Sequence, residues 1–293
     1  MGGVLMSSVL FDVPGPRAAR RYKIIGVVWI LVLVAVAALV IWKLYTEDQF
    51  TARQWEPFVT PRLMLTLLAG LGWTILAAVL AIIPAVFFGL LFGVGKLSDH
   101  ATVRWPSWLV VEFFRAVPLL MLIIFIWSLR GFRQGDLLAL VFGLILYNGS
   151  VLAEIFRAGI NAVPKGQAEA AYAIGMRKTQ VMTIVQLPQA IKIMLPSIVS
   201  QCIVALKDTS LGFYVLAPGL TYAGRELWRT FNNYLAVAIV LGLIYIILNL
   251  LLTLLANYLQ KRYSSSGEGV GQVQIVAGQV QSDAASGAAG MVR

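Results

Sequence analysis

The sequence predicts an all-α integral membrane protein with about six transmembrane helices. Three observations carry that expectation. Hydrophobic residues make up 59% of the 293 and charged residues 12%, with a mean hydropathy of +0.83. A soluble domain is about half apolar and a quarter charged. Six runs reach the roughly 20 mostly apolar residues needed to cross about 30 Å of hydrocarbon. The basic residues gather at the ends of those runs, so the net charge of +10 reads as contact with a membrane surface and not with nucleic acid.

The runs fall at roughly 24–45, 68–95, 108–129, 137–160, 197–218 and 235–259. The first follows Arg17, Arg20, Arg21 and Lys23 and contains Ala35-Val36-Ala37, which looks like a signal-cleavage site. The apolar stretch continues well past it, so a retained anchoring helix is expected. The second run holds Pro84 and several glycines, which predicts a tilted or kinked helix. The third is expected to be one span, and the fourth carries Asn148 in its middle. The fifth contains Lys207 and Asp208, and the sixth has no charge at all. From Ser264 onward the chain is rich in Ser, Gly, Gln and Ala and is expected to be disordered. The resulting division is a tail at 1–23, a separate helix and outer loop at 24–62, a transmembrane domain at 63–260 and a second tail at 261–293.

Charge sets the expected orientation. With the N-terminus inside, fourteen Lys and Arg fall on the inner side and seven on the outer, with Arg115 and Lys207 within spans. Both termini, and the long connection at 160–196, are then cytoplasmic. Cys202 and His100 are each the only residue of their kind, so neither a disulfide nor a His-based metal site is expected. Gly93-Val94-Gly95-Lys96-Leu97 fails as a phosphate loop, because Leu90 and Leu97 occupy positions that need Gly and Ser or Thr. The chain is therefore not expected to bind ATP.

Two features carry candidate chemistry. In the 160–196 connection, Ala168, Ala171, Tyr172 and Gly175 recur at i, i+3, i+4 and i+7, giving a short helix one face of small residues. Gly175 permits a sharp turn into a second helix over 178–187. This pattern suits a docking surface for another protein, with Glu169 and Arg177 orienting the contact; a membrane-surface helix with no partner fits the same pattern. The other feature is the Lys207 and Asp208 pair, where charge within a span costs at least a few kcal/mol and marks a functional candidate. Lys207 suits a carboxylate, Asp208 an ammonium, and Thr209 and Ser210 supply hydroxyls. A structural ion pair is the equal alternative. Glu112 with Arg115 and Glu154 with Arg157 are spaced i, i+3 and read as local ion pairs. Asn148, Ser200 and Gln201 read as interhelical hydrogen-bond partners.

Five elements in order resemble the permease subunits of ABC importers for polar amino acids. Glu169, Ala170, Ala171, Gly175, Leu187 and Pro188 resemble that family's cytoplasmic coupling loop. Glu112-Phe113-Phe114-Arg115-Ala116-Val117-Pro118-Leu119 looks like its E-F-F-R-G-T-P-L, with Ala116-Val117 in place of Gly-Thr. Ala153-Glu154-Ile155-Phe156-Arg157-Ala158-Gly159-Ile160 looks like A-E-I-F-R-G-G-I, Pro164-Lys165-Gly166-Gln167 like P-K-G-Q, and Lys207-Asp208-Thr209-Ser210-Leu211 like K-D-T-S-L. Within the family the likeness runs toward glutamate-uptake permeases of the actinobacterial type, which share the added N-terminal helix.

The resemblance implies a five-helix type I importer core over 63–260, preceded by the extra helix, with short coupling helices in the loop at 161–190. It also implies a non-catalytic subunit of the bacterial cell membrane. Its partners would be a cytoplasmic ATPase dimer that binds the ATP and Mg, a second and different permease subunit, and an extracytoplasmic solute-binding protein. The implied solute is glutamate; glutamine, aspartate or a basic amino acid remain open. A stand-alone secondary transporter would show internal repeats, and no second copy of the coupling pattern or of Lys-Asp is present. A membrane enzyme would need more converging polar groups than Lys207 and Asp208. On this reading Glu169→Lys and Gly175→Pro each abolish uptake while the protein still reaches the membrane. Uptake and ATPase co-purification measured on both variants check this, and normal coupling in either refutes the docking role.

Overall fold

The computed structural model describes residues 15–264, and every regular element among them is helical. Residues 1–14 and 265–293, which hold most of the two expected tails, lie outside the described residues. The chain divides into two units, Met1–Pro57 and Phe58–Arg293. In the first, α1 (Pro16–Thr46) opens with proline at its first turn, where no N–H is needed, and is followed by the short α2 (Ala52–Trp55). The α1 helix passes unbroken through Ala35-Val36-Ala37, and Lys43 closes its last turn with an ion pair to Glu47 at 2.7 Å.

The second unit begins with α3 (Pro61–Gly95), α4 (Ala101–Ala116), α5 (Leu119–Leu129) and α6 (Leu137–Asn161). Next come α7 (Lys165–Ala173), α8 (Lys178–Gln180), α9 (Leu187–Asp208), α10 (Leu220–Phe231) and α11 (Tyr234–Ser264). Among the described residues five helices are long and apolar enough to cross a membrane, and α4 with α5 makes a sixth crossing if that bent pair is one span. The chain is thus a multi-pass membrane protein.

The central contact is α3 against α6. Gly70, Thr74, Ala77, Ala81, Ala85, Gly89 and Gly93 recur every three or four residues along α3, forming a buried stripe of small side chains. Between helices in lipid there is no hydrophobic drive, so close backbone approach and dispersion supply the attachment. A Cβ added at Gly93 would lie 2.6 Å from the Ala153 carbonyl oxygen, and one at Gly89 would lie 2.6 Å from the Leu152 Cβ. The seam is flanked by three apolar clusters. One at the α7 end joins Phe156, Ile160, Val163 and Met194, a middle one joins Ile123, Leu140 and Leu144, and one at the opposite end joins Leu67, Leu220 and Leu227.

Three elements differ from the sequence expectation. The run at 108–129 is two helices meeting at 101°, because Pro118 has no N–H and holds Val117 extended (φ −77°, ψ 127°). The run at 197–218 is the end of a continuous helix, Lys178–Val215, of 38 residues. Leu187 and Pro188 therefore do not separate the second coupling helix from the span. Pro188 has no N–H to give the Ile184 carbonyl, and the ladder ahead of it widens into a π-helical stretch, Val181–Gln186. The third is α10, a helix between the runs at 197–218 and 235–259 where no element is expected from hydropathy. Leu220, Ala223, Gly224 and Leu227 form its buried face, and its 12 residues are too few to cross a bilayer. Its first amide, Leu220 N–H, donates to Thr74 Oγ1 at 2.9 Å and ties it to α3.

Packing at the α3–α6 seam makes a direct prediction. Gly93→Val overfills it and costs about 1–3 kcal/mol, whereas Gly72→Val, with nothing within 4 Å of its added Cβ, is neutral. Thermal unfolding of both variants in detergent checks the difference.

Candidate functional site

The connection after α6 folds on itself before entering the long helix. Val163 is buried, Pro164 starts α7, and the helix closes at Gly175, whose φ of +80° is the left-handed conformation glycine adopts without strain. Gly175 N–H donates to the Tyr172 carbonyl at 2.9 Å and Met176 N–H to that of Ala171 at 3.2 Å, so the last carbonyls of α7 are satisfied. Arg177 N–H then donates to Gln180 Oε1 at 2.8 Å and begins α8.

This arrangement covers part of the face expected to dock. Ala171 is buried against the chain itself and Ala168 is half-buried. Tyr172 and Gly175 of that face stay exposed, together with Glu169, Ala170 and Ile174, the last 79% exposed. Leu187 packs inward on the cluster of Phe156 and Met194, and Pro188 sits exposed in the first turn of α9. The helical phase was readable in the sequence, but not which side of it the π-helical stretch would cover. An exposed ion pair between Lys178 and Asp99 attaches the connection to the loop after α3. The hydrogen bond from that ammonium holds the Asp99 carboxyl below its ordinary range.

Next to this connection lies a charge network that the sequence reading had only in part. Both expected pairs exist: Glu154 with Arg157 at 2.9 Å, and Glu112 with Arg115 at a loose 3.5 Å. The residue that links them is Lys96, with only 7% of its side chain exposed. Its ammonium donates to Glu112 Oε1 at 3.0 Å and also to Glu154, so one cation binds α4 and α6 to the end of α3. The signal was present as a lone lysine just after Gly93-Val94-Gly95, where small residues let three helix ends converge.

Lys207 and Asp208 do not form the compact site their adjacency suggested. Asp208 ends α9 but the helix runs on to Val215, and the pair lies level with Asn148 near the middle of α6 and Tyr245 near the middle of α11, as expected for mid-span. Neighbouring helical residues diverge by about 100°. Lys207 is exposed and lines a cavity of about 490 Å³ between α9 and α11, together with Ser210, Tyr245 and Asn249. Asp208 is half-buried and points to Asn148 of α6. Thr209 is buried, its hydroxyl donated to the Leu206 carbonyl at 2.6 Å. Neither Lys207 nor Asp208 forms an ion pair among the described residues, so the alternative of a structural pair finds no partner there. Beside the cavity Asn249 Oδ1 is buried without a hydrogen bond among the described residues, while the Tyr245 hydroxyl is buried facing the threonines Thr74, Thr209 and Thr221. The structure thus groups Lys207 with Ser210, Tyr245 and Asn249; the last two were missed because nothing in the α11 run singles them out. Asn148 and Gln201 do join α6 to α9, with Gln201 Nε2 donating to Asn148 Oδ1 at 2.7 Å.

An exposed coupling-type turn on one end of a small-residue helical bundle has a match among known families. The model of the binding-protein-dependent transport system inner membrane component covers residues 85–265. The chain belongs to this family, the membrane-spanning permease subunits of ABC importers. Glutamate transport system permease protein GluD of Corynebacterium glutamicum is 40% identical over 225 residues, 74% of this chain and 82% of that protein. Arginine transport system permease protein ArtQ of Bacillus subtilis is 30% identical over 204 residues, covering 68% and 93%. The crystal structure of an amino acid ABC transporter with histidines aligns with a TM-score of 0.64 at 29% identity, over 68% of this chain and 94% of that one.

The ion network predicts unequal costs. Lys96→Met leaves two carboxylates short of their shared cation and lowers stability by about 3 kcal/mol. Lys178→Met, which removes a solvent-exposed pair, leaves it nearly unchanged. Thermal midpoints of the purified variants check the contrast.

Proposed function

We propose that this chain is the membrane-spanning subunit of an ATP-driven importer that carries a polar amino acid, glutamate, into the cytoplasm. The observation that carries the solute is the 40% identity to a glutamate permease over three-quarters of the chain. The unpaired Lys207 agrees with it: an ammonium in a cavity with Ser210, Tyr245 and Asn249 suits a carboxylate and its neighbouring polar atoms. The Lys and Arg bias puts α7 and both termini on the cytoplasmic side.

On this reading the exposed Glu169, Ala170, Tyr172 and Ile174 meet an ATPase dimer, which holds the ATP and Mg. Closure of that dimer displaces the α7 turn and tilts the spans, exchanging inward for outward access. A second permease subunit completes the pathway, and an extracytoplasmic binding protein delivers the solute. A second reading is a different polar solute, since the relative at 30% identity is an arginine permease and would place opposite charge in the same fold.

Uptake into proteoliposomes by the assembled complex separates these readings. Glutamate accumulation is expected to require ATP, ATPase and binding protein together, to be competed by unlabelled glutamate and not by arginine, and to fall at least tenfold in Lys207→Met while the complex stays assembled. Competition by arginine, or transport driven by an ion gradient alone, refutes the proposal.

A further inference from the structure

We propose that the cavity beneath α4 is a binding site for the phosphate headgroup of an anionic phospholipid. The cavity measures about 530 Å³ and is lined by Lys96, Arg104, Trp105, Trp108 and Arg157, with Glu112 and Glu154. Those two carboxylates are already held: Lys96 binds both, and Arg157 binds Glu154 at 2.9 Å. Arg104 differs. One of its nitrogens, Nη1, donates to the backbone carbonyls of Ser98 at 3.0 Å and Asp99 at 3.2 Å, and it forms no ion pair among the described residues. The lining therefore has one cation in excess, on a guanidinium whose planar donors suit a phosphate oxygen pair.

The helix that roofs the cavity has the form of an interfacial element. α4 buries Ser107 and Val111 on one side and exposes Val103, Trp105, Trp108, Leu109 and Phe113 on the other, with Arg104 and Arg115 among them. Its 101° angle to α5 means the two helices cannot both follow the membrane normal. A short amphipathic helix with exposed tryptophan, phenylalanine and leucine beside arginine lies in the plane of the headgroups. Trp105 and Trp108 pack edge to face, ring centroids 6.0 Å apart, and wall the cavity. The phosphate would sit on Arg104 between them and the acyl chains along the apolar side of α4. A zwitterionic choline lipid would bring an ammonium into a lining that already has surplus positive charge, so an anionic headgroup such as phosphatidylglycerol is favoured.

The test is lipid retention by the purified permease complex, read by native mass spectrometry after exposure to phosphatidylglycerol or phosphatidylcholine. Wild type is expected to keep phosphatidylglycerol at least five times more often than phosphatidylcholine, with no displacement by inorganic phosphate. Arg104→Gln should lose that preference and Arg104→Lys should largely keep it. A measurement without any variant runs beside it: phosphatidylglycerol spin-labelled near its headgroup should quench the tryptophan fluorescence of wild type more strongly than labelled phosphatidylcholine. Equal retention of the two lipids, displacement by free phosphate, equal quenching, or an Arg104→Gln protein that folds and retains phosphatidylglycerol normally would each overturn the site.

Discussion

The fold rests on how closely α3 and α6 approach. In a bilayer the lipid tails are as apolar as a leucine, so helices hold together only where their backbones come near enough for many weak contacts. Small residues at every turn of α3 make that possible from Ala77 to Gly93, and Gly70 and Thr74 carry the same stripe on against α10. Everything near the α7 end depends on it. The apolar cluster of Phe156 and Met194 closes over the seam, and Lys96 reaches two other helices because α3 ends within a side chain's length of both.

Polar groups in such a bundle fall into three kinds. Some are structural and paired, as with Asn148 and Gln201, or Asp136, which caps α6 through the Ala139 amide and binds Arg130 at 2.6 Å. Others form the compact network around Lys96, where separated helix ends share charge. A third kind has no partner among the described residues: Lys207 forms no ion pair where it lines the groove, and Asn249 Oδ1 is buried beside it without a hydrogen bond. Burial of such groups is tolerable only if water, a solute or another chain meets them. Paired groups thus hold the helices together at both ends of the bundle, and the unpaired ones lie between, beside α9 and α11.

Much of this was legible in the sequence, and the reasons differ by element. Long apolar runs such as α6 and α11 declare themselves because lipid demands continuous hydrophobicity. Local pairs at i, i+3 were readable because helix geometry alone brings Glu154 to Arg157. The bend at Val117 and Pro118 was not, since hydropathy averages over the two residues that decide it. α10 escaped because its apolar face is only four residues wide and faces a particular neighbour. Lys96 escaped because its acceptors lie 16 and 58 residues away, a distance no local pattern spans. The inward turn of Ala171 has the same origin: a periodic face announces that it will be covered, but not by which surface.

The unbroken run from Lys178 to Val215 has a mechanical meaning. Its 22-residue α9 alone rises about 33 Å at 1.5 Å per residue. The foot of the strut begins at the turn after α7, and Lys207 lies near the far end of α9. Force applied at the foot needs no relay of side chains to reach the head, because one backbone delivers it. The wider π-helical turns of Val181–Gln186 interrupt the α-helical ladder near the foot, and Pro196, which has no N–H to give the Lys192 carbonyl, interrupts it again higher up. Those two places are where such a strut can bend, and the turns between them move as one piece.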